Sequence, residues 1–229
     1  MALYGISDLH LSFGVDKPMN IFGKVWDNYE EKVKVNWKKK VKDDDFVIIA
    51  GDISWGMHLV ESIKDFEFIH SLPGKKIILK GNHDYYFASK TKMEKFFKDN
   101  HMDEFYVLQT NAIDIGDYII CGTRGWGEVE GEKELDEKII KREAIRLRLS
   151  LDEAVKLRGE NVGKKIVLAM HFPPFLKEFQ DVINEYDVYK CVYGHLHGYG
   201  HTKVKEGKIG NVTYVMIGCD YTGFEVTRL

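Results

Sequence analysis

Phe46-Val47-Ile48-Ile49-Ala50-Gly51-Asp52 and Lys76-Ile77-Ile78-Leu79-Lys80-Gly81-Asn82-His83-Asp84 share one construction: a short apolar run, a glycine, then side chains that bind protons or cations. Three further segments follow a similar plan. Leu3 to Ile6 leads to Asp8-Leu9-His10, Ile166 to Ala169 to Met170-His171, and Val188 to Val192 to Gly194-His195-Leu196-His197. Short apolar runs of this kind read as buried strands. Acids and imidazoles therefore collect where strands end, which is where an open α/β sheet builds its site. Oxygen and nitrogen donors without thiolates suit hard and borderline divalent ions, and there are enough of them here for two.

Between these runs the apolar period becomes helical. Trp26, Tyr29, Val33 and Trp37 form one face of a helix predicted over Trp26 to Val41. Leu59, Ile63, Phe66 and Phe68 or Ile69 do the same over His58 to Ser71, which Pro73-Gly74 closes. Ser89 caps a third helix to Asp99 whose inward residues are Met93, Phe96 and Phe97. This alternation predicts right-handed crossovers and parallel pairing. Tyr106 to Leu108, Ala112 to Ile115 and Tyr118 to Gly122 then read as short strands, with a turn at Gly116-Asp117. Glu132 to Arg158 reads as a long helix with a broken stripe through Leu135, Ile139, Arg142, Ile145, Leu149 and Val155. Its alternating charges suit a solvated face. Thr202 to Lys205 and Val212 to Ile217 read as a closing hairpin. The expected fold class is α/β, two mixed sheets packed as a sandwich with helices outside, in a single domain over residues 1–229.

With 229 residues, 44% hydrophobic and 30% charged, the chain has the balance of a soluble globule with a sizeable core. Its net charge of −3 gives no general attraction for nucleic acid or anionic membrane. No apolar run approaches the roughly 20 residues of a bilayer span, and the N-terminus lacks the pattern of a secretory signal. Cys121, Cys191 and Cys219 lie in or beside strand patterns and are odd in number, as buried thiols of a reducing compartment would be. A cytoplasmic protein without a membrane span is expected.

In an extended segment Asp8 and His10 leave the same side of the backbone while Leu9 points into the fold, and His195 and His197 do so around Leu196. Gly51, Gly81 and Gly194 permit close backbone approach. Asp52 is the carboxylate best suited to bridge two ions. A lone histidine at a strand end is ordinarily just a hydrogen-bonded side chain, but five such segments are not so readily explained. Buried together without cations, their carboxylates and donors would lack partners. His58, His70, His101 and His201 read as surface, loop or edge residues.

These five blocks, in this order, resemble the calcineurin-like metallophosphoesterase family: Asp8-x-His10, Gly51-Asp52, Gly81-Asn82-His83-Asp84, His171 and Gly194-His195-x-His197. The resemblance covers Asp8 to His197 and implies the metallo-dependent phosphatase type of four-layer αββα sandwich. It implies that Asp8, His10 and His197 hold one divalent ion and Asn82, His171 and His195 another, with Asp52 between them. Manganese or iron is favoured, and zinc is the alternative. Ions about 3.5 to 4 Å apart bind phosphate oxygens and lower the pKa of a bridging water, whose hydroxide attacks phosphorus in line with the leaving alkoxide. His83 is then expected to stabilise charge or protonate the leaving oxygen, and Asp84 to fix its tautomer. Ser7 and Ser54 have no nucleophilic role in this chemistry.

The family contains protein phosphatases, phosphodiesterases, nucleotidases, pyrophosphohydrolases and repair nucleases. Asp84 replaces the glutamate of the Ser/Thr protein phosphatases, no arginine follows it, and no large basic flank suggests a nuclease. The expected substrate is a small-molecule phosphodiester or phosphomonoester; the alternatives are a phosphoprotein phosphatase, a nuclease of this fold, or a non-catalytic phosphate-binding scaffold. Homo-oligomerisation is left open. Trp55, Tyr85, Arg124 and Trp126 are candidate substrate contacts, Arg124 through its planar donors. Phe13, Met19, Ile21 and Phe22 read as packing residues or an apolar lip.

Overall fold

The computed structural model describes residues 1–127, 136–161 and 163–229. Its first sheet holds β1 (Leu3–Ile6), β2 (Phe46–Ile49), β3 (Lys75–Ile78), β4 (Phe105–Val107) and β11 (Thr227–Arg228), in the order β11-β1-β2-β3-β4. β1 to β4 run parallel and β11 is antiparallel. Helices α1 (Tyr29–Lys40), α2 (Leu59–His70) and α3 (Lys90–Asp99) connect its strands. The second sheet contains β5 (Ala112–Asp114), β6 (Tyr118–Thr123), β7 (Lys165–Met170), β8 (Val188–Tyr193), β9 (Gly207–Ile209) and β10 (Val212–Met216), in the order β5-β6-β7-β8-β10-β9. Here β6, β7, β8 and β10 are parallel, and the edges β5 and β9 antiparallel. α4 (Glu137–Arg158) and α5 (Lys177–Ile183) accompany it.

Period-two burial explains the layers. Phe46 and Ile48 of β2 and Ala50 just after it share one buried cluster with Val167, Ala169 and Val192 of the second sheet. Val47 and Ile49 face the other way, among Val33, Trp37, Phe66 and Phe97 of the helices. Ile166, Leu168 and Met170 of β7 pack against Leu147, Leu151 and Phe179. Each central strand thus fills two cores, which is why it reads as an unbroken apolar run. The result is α/β, two mixed sheets face to face with helices outside, as expected.

Two parts of the sequence reading need correction. Thr202–Lys205 is not a strand: Gly198–Lys203 forms a 3₁₀ turn, and the hairpin partner of β10 is Gly207–Ile209. Tyr193 Oη bonds both the carbonyl and the amide of Lys205, so this backbone is engaged before the hairpin begins. The long helix presents Ile140, Leu147, Leu151 and Ala154 inward, while Ile145, Leu149 and Val155 are exposed. Glu143 and Ser150 are polar members of the buried face and obscure its stripe. Glu143 accepts from Thr123 Oγ1, and Ser150 Oγ accepts from the Gly122 amide. The part of that expected helix over residues 132–135 lies outside the described residues.

Candidate metal centre

The ends of β1, β2, β3, β7 and β8 meet where the two sheets are stitched together. Ser7 donates its amide to Ile217 O and accepts from the Cys219 amide, which joins β1 to the strand of the other sheet. The Asp8 and His10 amides donate to Gly51 O and Asp52 O, both at 2.9 Å. Gly51 lies against Gly81, since a Cβ at Gly51 would stand 2.7 Å from Gly81 Cα. A Cβ on Gly194 would fall 2.3 Å from Asp8 Oδ2, so the third glycine lets the histidine loop reach that carboxylate.

Asp8, His10, Asp52 and His195 all have positive φ, between 45° and 72°. The extended geometry expected for Asp8-Leu9-His10 is therefore replaced by two left-handed residues around a buried Leu9. Left-handed backbone outside glycine is uncommon and gathers at functional sites, where the surrounding structure holds it in place.

Two groups of donors result. Asp8, His10 and His197 bring ligand atoms within 4.8 Å of one another, and so do Asp52, His171 and His195. Asn82 joins the second group: its Oδ1 lies 2.7 Å from His171 Nε2 and 3.0 Å from His195 Nδ1. The groups adjoin, with Asp52 Oδ2 3.4 Å from His171 Nε2 and 3.8 Å from His10 Nε2.

The proton inventory tests whether a cation fits. His171 Nδ1 faces the carbonyl of Ala50 at 3.0 Å, an atom that only accepts, so Nδ1 carries a proton. Nε2 then meets Asn82 Oδ1 and Asp52 Oδ2, two more acceptors, and only a positive charge reconciles them. His197 repeats the pattern: Nδ1 is held by Asp220 Oδ1 at 3.0 Å, and Nε2 faces His10 Nε2 at 3.2 Å and Asp8 Oδ1 at 3.5 Å. The donor set fits a divalent ion in each group.

Electrostatics agrees. Burial alone would lower both imidazoles, yet Asp52 and Asp8 carry His171 up to about 9, and Asp220 and Asp8 carry His197 up to about 10. Burial works against ionised Asp8, but the hydrogen bond and charge of His197 bring it down to about 2. Asp52, against the same desolvation, is held well below the usual carboxylate range by His171 and His10. His10 is lowered to about 3 by burial.

Asp84 has a different role from the one its sequence position suggests. Its carboxylate accepts from the amides of Asp52, Ile53, Ser54 and Gly81 and from Tyr86 Oη. Burial and the neighbouring Asp52 charge push it up to about 6. It fastens the loop that carries Asp52 and is not the partner of the His83 ring. His83, half-buried, donates its amide to Asp52 Oδ1 and packs its imidazole 4.7 Å from Trp55. Burial lowers its pKa.

Trp55 is 8% exposed, stacked on His10 at 4.8 Å with Lys17 Nζ 3.4 Å from its ring centroid. It buttresses two histidines and offers no open platform. Tyr85 is exposed beside His83. Arg124 lies 4.8 Å over Trp126, and its carbonyl receives the amides of His171 and Phe172. Met19 is buried, whereas Phe13, Ile21 and Phe22 are exposed, with the Phe13 ring 5.1 Å from that of Phe68. The hydroxyls of Ser7 and Ser54 are bound to Asp8 and Asp65.

Asp220 is the supporting residue that the sequence reading missed, and with it His201, whose Nε2 lies 3.2 Å from Asp220 Oδ2. The signal was present: Asp220 follows the apolar run Val212 to Ile217 as the other acids follow theirs.

A family model described as calcineurin-like phosphoesterase matches residues 1–199. The chain belongs to that family and is a metal-dependent phosphoesterase, a hydrolase. None of the curated proteins matches it. Among solved structures it is similar to phosphopantetheinyl hydrolase from Mycobacterium tuberculosis, at 15% identity over 100% of this chain and 95% of that one, TM-score 0.54. A protein of unknown function from Aquifex aeolicus, AQ665, is similar at 15% identity, 99% and 95% coverage and TM-score 0.54. The protein TT1561 of Thermus thermophilus is similar at 14% identity, 99% and 97% coverage and TM-score 0.56. At these identities the likeness is one of fold.

Proposed function

We propose that this chain is a dinuclear phosphoester hydrolase acting on a small-molecule phosphomonoester or phosphodiester, and that residues 1–229 form one domain. The observation that carries the reading is the adjacency of two complete donor groups, Asp8/His10/His197 and Asp52/Asn82/His171/His195, with Asp52 within 3.8 Å of an imidazole from each. When bound, divalent ions supply Lewis acidity and acidify a water for attack on phosphorus. Asp8 and Asp52 provide the anionic charge that holds them, and the Ala50 carbonyl and Asp220 fix the ligating faces of His171 and His197. His83 stands at the rim. Its lowered pKa favours the neutral imidazole, an N–H donor to charge developing on the ester oxygens. Manganese or iron is the expected metal and zinc the alternative. The fold-level likeness to a phosphopantetheinyl hydrolase adds such esters to the substrates worth trying.

The test is turnover of mono- and bis-p-nitrophenyl phosphate by Mn²⁺-loaded protein, with metal stoichiometry measured on the same sample. Hydrolysis lost on chelation, with two ions per chain, is the expected result. A fully loaded chain that releases no product from any ester would refute the reading.

A further inference from the structure

Between the segments that follow β3 and β4, the end of β6 and the helix α4 lies a cavity of about 570 Å³ lined by Lys80, Thr123, Arg124, Arg142, Glu143 and Arg146 among others. Four of these side chains are cationic and one is anionic, in a chain whose net charge is −3. The single carboxylate is already committed: Glu143 accepts from Arg146 at 2.7 Å and from Thr123 Oγ1 at 2.8 Å, with Arg142 Nε at 3.8 Å. Neither Lys80 nor Arg124 forms an ion pair with any described residue, although both are partly buried. Both line the same hollow as Arg142 and Arg146. Like charges held together in a partly dehydrated hollow repel, and a bound anion relieves that repulsion.

The hollow adjoins the site. Lys80 is two residues from Asn82, so their Cα atoms are no more than about 7 Å apart. The Arg124 carbonyl receives the His171 amide. The volume suits a small molecule, and guanidinium forks match phosphate oxygens.

Resting on the hydrolase reading above, we infer that this cavity is a subsite for a second phosphoryl group of the substrate, so that the preferred substrates are small molecules carrying two phosphates, one at the metals and one against Lys80, Arg124 and Arg142.

The experiment has two arms. In the first, chelator-treated protein is titrated calorimetrically with inorganic pyrophosphate. Saturable binding is expected, weakened at least about tenfold in Lys80→Gln/Arg142→Gln, because charge-assisted hydrogen bonds are lost. Turnover is not needed for this readout. In the second, Mn²⁺-loaded enzyme is assayed on adenosine 3′,5′-bisphosphate and adenosine 5′-monophosphate. The bisphosphate is expected to have the higher kcat/KM, and the ratio between the two to fall at least about tenfold in the double variant, mainly through KM. Arg142→Gln alone, at a side chain 53% exposed, guards against a folding defect and should lower the ratio about threefold or more. Absence of pyrophosphate binding, or equal losses on both nucleotides, overturns the subsite. Pyrophosphate binding that weakens as expected, in a protein that hydrolyses no ester, supports the pocket and removes the catalytic reading instead.

Discussion

The two sheets contribute to the metal centre by different means. The first sheet places Asp8, His10 and Asp52 through the backbone: all three have positive φ, their loops exchange amide hydrogen bonds, and Asp84 gathers four amides under the Asp52 turn. The second sheet supplies His171 and His197, whose Nδ1 atoms are fixed by Ala50 O in one and by Asp220 in the other. Asp8, His10 and Asp52 thus come from one linked backbone framework, whereas the rings of His171 and His197 each have an Nδ1 partner of their own. On the two-ion reading proposed above, damage to the first set should reach both ions, and damage to the second only one.

The widest effect is expected from Asp52→Asn. Amide replaces the carboxylate between the two groups, so metal content should fall from two ions to one or none. Turnover should drop by roughly 10³-fold, as loss of several kcal/mol of charge stabilisation implies. Stoichiometry by mass spectrometry beside the rate assay checks it, and two retained ions would break the comparison at its strongest point. His83→Ala should instead keep the metal content and lose at least about tenfold in kcat, because the bond from His83 to Asp52 Oδ1 is made by its backbone amide, which alanine retains. Equal turnover by a fully loaded variant would remove His83 from the chemistry.

Asp220→Asn sharpens the contrast from the other sheet. It leaves every ligand in place and removes only the charge that orients His197 and raises its pKa. Supporting residues of this kind are worth about 10- to 100-fold in metal affinity. That loss should appear in one of two binding steps when Mn²⁺ is titrated into chelator-treated protein. Equal weakening of both steps would show that the two groups do not behave separately.

How much of this was legible follows the same division. The candidate ligands could be picked out because they follow largely buried strands, so an acid or imidazole stands out against an apolar run, and the fold gathers them into two groups. The layers could be read for the same reason. The left-handed turns could not, since Asp8 and His10 adopt them through loop contacts with Gly51 and Asp52 that are remote in sequence. The family resemblance assigns Asp84 to His83, whereas its carboxylate accepts from amides about 30 residues away. The face of α4 was misread because Glu143 and Ser150 are buried by hydrogen bonds to β6 and to Asn111 just before β5, which periodicity of apolar residues does not register.

One buried acid of the first sheet's framework yields a smaller effect with a definite sign. Asp65, on α2, accepts from the Phe13 amide at 2.7 Å and from Ser54 Oγ, so it ties the loops after His10 and Asp52 to the helix beneath. Burial pushes its carboxyl up to about 6, above the ordinary value of 3.8, with those two hydrogen bonds opposing the rise. A folded-state pKa above the unfolded one means that the native protein binds the proton more tightly. Its stabilising contribution is complete below about pH 3.8 and is lost as pH rises through about 6. The difference amounts to about 3 kcal/mol at most. Asp65→Asn removes this titration while keeping an oxygen for the Phe13 amide. Urea unfolding of chelator-treated protein at pH 4 and pH 7 should therefore show stability falling less steeply with pH in the variant than in the parent chain. Parallel slopes would mean that Asp65 is solvated well enough to ionise at its usual pH, and that the framework beneath the carboxylate ligands is more open than its hydrogen bonds imply.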